Sequence, residues 1–306
     1  METPTRQSLV ASFDAKTLAA LEGLDFKARY LVEGFLQGMH RSPFHGFSVE
    51  FSDYRDYQPG DDLRHLDWRL YARTDRLCIK RYMQETNVRF YLVCDTSASM
   101  SYRGSQAWGS KLDCARVLAL AITWFLLRQN DAVGIVSLSG DSDIPQVVRP
   151  AQRPTQFGLI LSRMESLKAS GGACLDRLLD HAARLIHPRS VVLLFSDLLE
   201  PAESLTSGLK HLRFDGHEVL VFQVLDRDEV EFPFQEPKIF RDLETGMRRQ
   251  ISPGQARAPY LAKFRAFMEA HLKQLQSLEM SHCLVRTDAN PLHALAHFLA
   301  ERKRLL

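Results

Sequence analysis

Residues 89–100 read RFYLVCDTSASM. Five apolar residues, Phe90 to Cys94, follow one another without polar alternation, and the run stops at Asp95 with Ser97 and Ser99 just beyond. A short continuous apolar run of this kind marks a strand buried on both faces. Three more occur: Ala132–Leu138 (AVGIVSL), Val191–Asp197 (VVLLFSD) and Glu218–Leu225 (EVLVFQVL). Helical patterns separate them. Leu112–Gln129 is apolar on most faces, Thr155–Leu167 and Leu175–Ile186 are amphipathic, and Glu203–Leu212 is followed by Gly216 near a C-cap position. Strands alternating with helices predict an α/β fold, with a mostly parallel central sheet, helices on both faces and right-handed crossovers.

Outward from this core, residues 1–88 carry helical patterns over Ser12–Leu21 and Phe26–Gln37, then a charged, aromatic, β-rich stretch. Residues 230–306 carry a β-prone, Pro-rich stretch (Glu231–Pro253), a long helix (Pro259–Leu278), a short strand (Cys283–Arg286) and a last helix (Pro291–Arg304). The expected organisation is an N-terminal α+β extension (1–88), the α/β core (89–229) and a C-terminal helix–strand–helix packed on the core (230–306), with the last strand extending the sheet. No low-complexity linker or internal repeat interrupts it.

The 306 residues are 45% hydrophobic and include 18 Phe, ample for a buried core. With 39 basic and 37 acidic side chains the formal charge is +2. That balance argues against a nucleic-acid or polyanion binder, which needs a basic excess. The N-terminal stretch has no signal-type apolar region, and no run of about 18 uncharged apolar residues occurs. These features predict a cytoplasmic protein without stable membrane insertion. The five cysteines include no Cys-x-x-Cys pair, so reduced and mostly buried thiols are expected. His293 and His297, four apart on the last helix, are read as ordinary helix residues, because a zinc site would need further ligands.

In open α/β sheets, ligands bind beyond the carboxyl ends of the strands, near the point where strand order reverses. The run 89–95 ends in Asp95 and is followed by Ser97 and Ser99, while the run 191–197 ends Ser196-Asp197. One edge of the sheet should therefore carry both clusters. An all-oxygen set of carboxylates and hydroxyls suits a hard divalent cation such as Mg²⁺ or Mn²⁺.

Asp-x-Ser-x-Ser after a buried strand resembles the metal-ion-dependent adhesion site (MIDAS) of von Willebrand factor A domains. That resemblance implies a von Willebrand factor A-like fold and a metal site of Asp95, Ser97, Ser99 and Asp197. Sites of that family also take a Thr from a Gly-Gly-Thr-like loop. Here Gly171-Gly172 is followed by Ala173, which has no ligand atom, and Cys174 is a soft ligand. Two outcomes are open: a weakened site with water in place of the hydroxyl, or a pocket without metal.

A wider resemblance covers nearly the whole chain. Gly46, Ser48, Glu50, Phe51, Arg55, Tyr57, Pro59-Gly60-Asp61-Asp62, Arg64, Asp67-Trp68, Ala72-Arg73 and Glu85 match the signature of the bacterial domain of unknown function fifty-eight family, with Leu66 at a usual Ile. Leu194–Leu198 and Asp242-Leu243-Glu244-Thr245-Gly246 are also similar to it. The resemblance implies an interaction protein working beside a MoxR-type AAA+ ATPase in the assembly or maturation of other proteins. No catalytic activity is implied.

Between Asp53 and Glu85, seven acids (Asp53, Asp56, Asp61, Asp62, Asp67, Asp75, Glu85) interleave with seven bases (Arg55, Arg64, Arg69, Arg73, Arg76, Lys80, Arg81) among aromatic residues. Mutual ion pairing over rings is the expectation. Arg55, Asp61, Asp62, Arg64, Asp67, Trp68 and Arg73 are the candidate partner-binding residues, and a metal-independent scaffold using this surface is the alternative function. An enzyme is disfavoured. No Gly-x-Ser-x-Gly elbow or Walker A motif occurs, and no base is placed for Ser97 or Ser99. A Mg²⁺-dependent phosphatase using Asp95 is the remaining enzymatic alternative, weakened by Ser97 where such enzymes carry a second Asp.

Overall fold

Strand and helix alternate as the apolar runs require. The computed structural model describes residues 18, 20–40, 54–57, 68–80, 88–139, 142–172 and 175–305. In chain order the elements are α1 (Leu24–His40), β1 (Tyr54–Asp56), α2 (Trp68–Thr74), β2 (Cys78–Lys80), β3 (Arg89–Cys94), α3 (Lys111–Arg128), β4 (Ala132–Ser139), β5 (Ser142–Ala151), α4 (Gln156–Ser166) and α5 (Leu175–Leu185). They continue with β6 (Val191–Ser196), α6 (Ala202–Phe214), β7 (Glu218–Leu225), α7 (Arg227–Glu231), β8 (Lys238–Arg241), β9 (Arg248–Ile251), α8 (Pro253–Ser277), β10 (Ser281–Arg286) and α9 (Leu292–Leu305).

The central sheet has the order β10-β7-β6-β3-β4-β5. Five strands are parallel, and β5 is antiparallel to β4 at the edge. The period of two divides each buried strand between two cores. Phe90, Leu92 and Cys94 of β3, Val191, Leu193 and Phe195 of β6, and Leu220, Phe222 and Val224 of β7 face one core, shared with α1, α3, α4 and α9. Tyr91, Val93, Val192, Leu194, Val219 and Val221 face the other, shared with α5 and α6. Across the first core Phe195 stacks on Phe222 with centroids 4.9 Å apart. Cys94 and Cys114 are buried free thiols. No helix among the described residues is long and apolar enough to cross a membrane.

The expected C-terminal strand is present, two residues longer than read, and it extends the sheet through parallel pairing with β7. Three features depart from the sequence reading. β5 was not anticipated: Pro145 and Pro150 break its pattern, and proline is tolerated only on such an edge. The long helix starts at Pro253 and carries Pro259 inside it. A short helix, α7, that the sequence reading lacks closes the core at Arg227–Glu231, and the β-prone stretch after it folds as the β8–β9 hairpin, which forms its own two-stranded sheet.

Residues 42–87 form a separate compact unit. Within it β1 pairs antiparallel with β2, Arg55 opposite Ile79. Trp68 on α2 is 59% exposed and meets Tyr71 edge to face. Arg73 is exposed. Asp61, Asp62, Arg64 and Asp67, the side chain of Arg55, and most of the expected ion-pair network lie outside the described residues.

Candidate functional site

From β3 the chain runs to β4 on one side of the sheet, while β6 lies on the other, so strand order reverses between β3 and β6. The four residues expected at this switch point are brought together there and line one cleft. Asp95 extends the ladder, its N–H donating to Phe195 O at 2.9 Å. Its Oδ1 accepts from Ser97 N at 2.9 Å, and its Oδ2 accepts from Ser196 Oγ at 2.6 Å. A short 3-10 turn, Ala98–Ser101, brings Ser99 back over Ser97, and the two hydroxyls lie 3.0 Å apart. Ser170 N donates to Thr96 O, which brings the start of the glycine loop to this edge. Ala173 and Cys174 lie outside the described residues.

Asp197 is aimed by a strained turn. Leu198, buried, has φ 54°, a left-handed conformation that a branched side chain rarely adopts. Ser196 Oγ accepts the Leu198 N–H and Asp197 Oδ1 accepts the Leu199 N–H, which holds the turn. Asp197 Oδ2 accepts a 2.7 Å hydrogen bond from Lys111 Nζ, and that same ammonium lies 2.6 Å from Glu229 Oε1.

Lys111 and Glu229 were missed in the sequence. Lys111 is fully buried at the first position of α3, where the helix dipole disfavours a cation. The Ser110–Asp113 capping box fixes its backbone, and its N–H donates to Tyr102 O. Glu229 sits in a second capping box at α7: its Oε2 accepts from Asp226 N at 2.8 Å while its Oε1 faces Lys111. The available signals were the two Ser/Asp-x-x-Asp/Glu boxes and a lysine heading an otherwise apolar helix. Neither signal names a partner 86 or 118 residues away.

The floor of the cleft is short of positive charge. Asp95, Asp197, Glu200 and Glu229 line it, with Lys111 buried behind two of them. Burial, reinforced by Asp197, pushes Asp95 up to about 6. Burial pushes Glu200 up to about 7. Burial alone would lower the Lys111 ammonium, but Asp197 and Glu229 outweigh it and hold it protonated. The cleft has a volume of about 730 Å³, and the β8–β9 hairpin walls it with Phe240, Leu243, Met247 and Ile251 beside Arg241 and Arg249.

The residues present fit a hard divalent cation. Adjacent ligands around an octahedral Mg²⁺, each about 2.1 Å from the ion, stand about 3 Å apart, and the Ser97 and Ser99 hydroxyls are 3.0 Å apart. Each has an oxygen lone pair to give, and among the described residues the nearby Asp95 carboxylate has no cationic partner. Among the described residues no group of three or more His, Cys, Asp or Glu forms a metal cage. That suits only an ion that keeps most of its waters.

The family described as "Protein of unknown function DUF58" matches residues 53–270. Uncharacterized proteins of Mycobacterium tuberculosis and Mycobacterium bovis are each 28% identical over 296 residues, covering 95% of this chain and 91% of the relative. Among solved structures, the conserved hypothetical protein BatB from Bacteroides thetaiotaomicron is similar with a TM-score of 0.42 and 16% identity, over 71% of this chain and 99% of that one. The VWA domain of SpRpn10 is similar with a TM-score of 0.41 and 14% identity, over 69% and 94%. The architecture is α/β, a mostly parallel central sheet with helices on both faces.

Proposed function

This chain belongs to the DUF58 family, and we propose that it is a non-enzymatic protein-interaction module whose docking site is the cleft beyond β3 and β6. The observation that carries this reading is the convergence of Asp95, Ser97, Ser99 and Asp197 at the switch point, in an open cleft with an apolar wall. Ser97, Ser99 and Asp95 would hold a Mg²⁺ or Mn²⁺ ion, with Asp197 beside them. Bound there, such an ion supplies an electropositive point that an Asp or Glu of the partner completes. Ser196 orients Asp95, the strained turn at Leu198 orients Asp197, and the hairpin narrows the approach. The family resemblance points to a MoxR-type AAA+ ATPase as partner.

Mg²⁺ or Mn²⁺ should raise the melting temperature of the wild type and leave that of Asp95→Ala unchanged. Equal responses would remove the metal from the proposal. Co-purification with the ATPase, with and without EDTA, tests the partner, and an EDTA-insensitive complex would argue against ion-mediated docking.

A second reading rests on Trp68, whose exposed ring on α2 is a ready anchor for a partner. In that case Asp95→Ala spares binding, whereas Trp68→Ala or charge reversal at Arg64 abolishes it with the melting temperature unchanged.

A further inference from the structure

Lys111 is the buried charge that the proposed docking does not use. A fully buried ammonium is costly unless paired, and truncating it would leave two buried carboxylates uncompensated. Its side chain has no exposure, and its contacts at 2.7 Å and 2.6 Å go to Asp197 and Glu229. Helix geometry does not favour a cation at this position, since α3 presents its positive end there. The charge is therefore matched to the carboxylates and not to the helix.

The two carboxylates come from different parts of the fold. Asp197 follows β6, while Glu229 belongs to α7, whose carbonyl at Glu229 accepts from Tyr260 Oη of α8 at 2.8 Å. Glu229 also closes the cap of α7. Asp95, Ser97 and Ser99 line the same cleft as Asp197 and Glu229. Lys111 thus contacts two of the carboxylates at this edge, and among the described residues no cationic side chain contacts Asp95, Ser97 or Ser99.

We infer that Lys111 is a built-in counter-cation that offsets one of the two negative charges of Asp197 and Glu229, so that the site loaded with a divalent ion held by Asp95, Ser97 and Ser99 is neutral instead of negative toward a partner's carboxylate. This deepens the proposed function and rests on its metal reading. With Lys111 in place, the three carboxylates and the ammonium carry two negative charges, which a divalent ion balances. Without it they carry three, and an incoming carboxylate meets a negative site. Lys111 therefore weakens the hold on the ion and strengthens the hold on the acidic partner group. A merely structural lysine would move both in the same direction.

The test uses the full chain with Mn²⁺ followed by electron paramagnetic resonance, and acetate as the carboxylate probe on the Mn²⁺-loaded protein, followed by water-proton relaxation. Lys111→Met should bind Mn²⁺ about tenfold more tightly and acetate several-fold more weakly than wild type. Glu229→Gln, which leaves Lys111 in place and removes one carboxylate, should shift both in the opposite sense, and it keeps the test decisive if Lys111→Met fails to fold. Unchanged or weaker Mn²⁺ binding by Lys111→Met, with Mn²⁺ bound by wild type, overturns the role of Lys111 and leaves the metal reading standing. Absence of Mn²⁺ binding by wild type overturns the metal reading itself, and the role of Lys111 with it.

Discussion

Gly104 has no room for a side chain. A Cβ there would lie 2.2 Å from Asp226 Oδ1, while the Gly104 N–H donates to Asp226 Oδ2 at 2.9 Å and Thr287 Oγ1 donates to that same oxygen at 2.6 Å. Asp226 in turn caps α7, which carries Glu229 to Lys111. Gly104→Ala should cost roughly 1–3 kcal/mol of stability by overpacking. Gly158, exposed within α4 with nothing within 4 Å of its would-be Cβ, is the contrasting case. Gly158→Ala should gain about 1 kcal/mol from helix propensity. Urea unfolding of the two variants checks both signs, and a loss in both would mean that the packing at Gly104 is not what distinguishes them. At this scale the sequence is silent, because a glycine in a sequence does not show which atoms face it.

Among the elements, α3 matters most to the site, because its first turn sets Lys111. Ser110 Oγ accepts from Asp113 N at 3.1 Å and Asp113 Oδ2 accepts from Ser110 N at 3.0 Å, so two of the orphan donors at the helix start are satisfied. Ser110→Ala should lower stability by about 1 kcal/mol. If the cap also positions Lys111, the same variant should alter Mn²⁺ affinity; a stability loss with unchanged affinity would confine the cap to the helix. Element identity was largely legible. α3, α4, α5, β3, β4, β6 and β7 fall within a few residues of their apolar patterns, since continuous burial imposes continuous hydrophobicity. β5 was not, because Pro145, Pro150 and an exposed Ile144 erase that pattern on an edge strand. The hairpin was legible only as a β-prone stretch: the Asp242 turn, in which Oδ1 accepts from Glu244 N and Thr245 N, is local, but its place over the strand ends is not.

Across the whole molecule, buried and half-buried polar side chains link the sheet edge to its switch point. His282 on β10 lies 2.9 Å from Gln223 Oε1 on β7, and Gln223 Nε2 donates to Asp197 O at 3.0 Å. Burial, with His297 and His271 nearby, pushes His282 down to about 4 from its ordinary 6.5. Between those values the unfolded chain holds a proton that the folded one does not. The stabilising contribution is therefore complete above about 6.5 and is lost as pH falls toward 4, by roughly 3 kcal/mol. Asp95 and Glu200 act in the opposite sense: their folded values are raised, so stability is gained as pH falls through about 7 and 6 toward 4. His282→Gln should therefore show a smaller loss, or a net gain, in urea midpoint between pH 7 and pH 5 than wild type. Parallel pH profiles of the two proteins would show that His282 does not titrate in this range.

The sequence by itself determined the sheet, the helices that cover it, and the edge where Asp95, Ser97, Ser99 and Asp197 meet. Each of these follows from local pattern: unbroken apolar runs force burial on both faces, and polar residues at their carboxyl ends must emerge together at the switch point. Only the tertiary structure decided the charge of that edge. Lys111, Asp197 and Glu229 are separated by 86 and 118 residues, and a lysine in a helix reads the same whether solvated or buried. What distinguishes the two states is the loss of water around the ammonium, which the packing of α3, β6 and α7 imposes and which two carboxylates then offset.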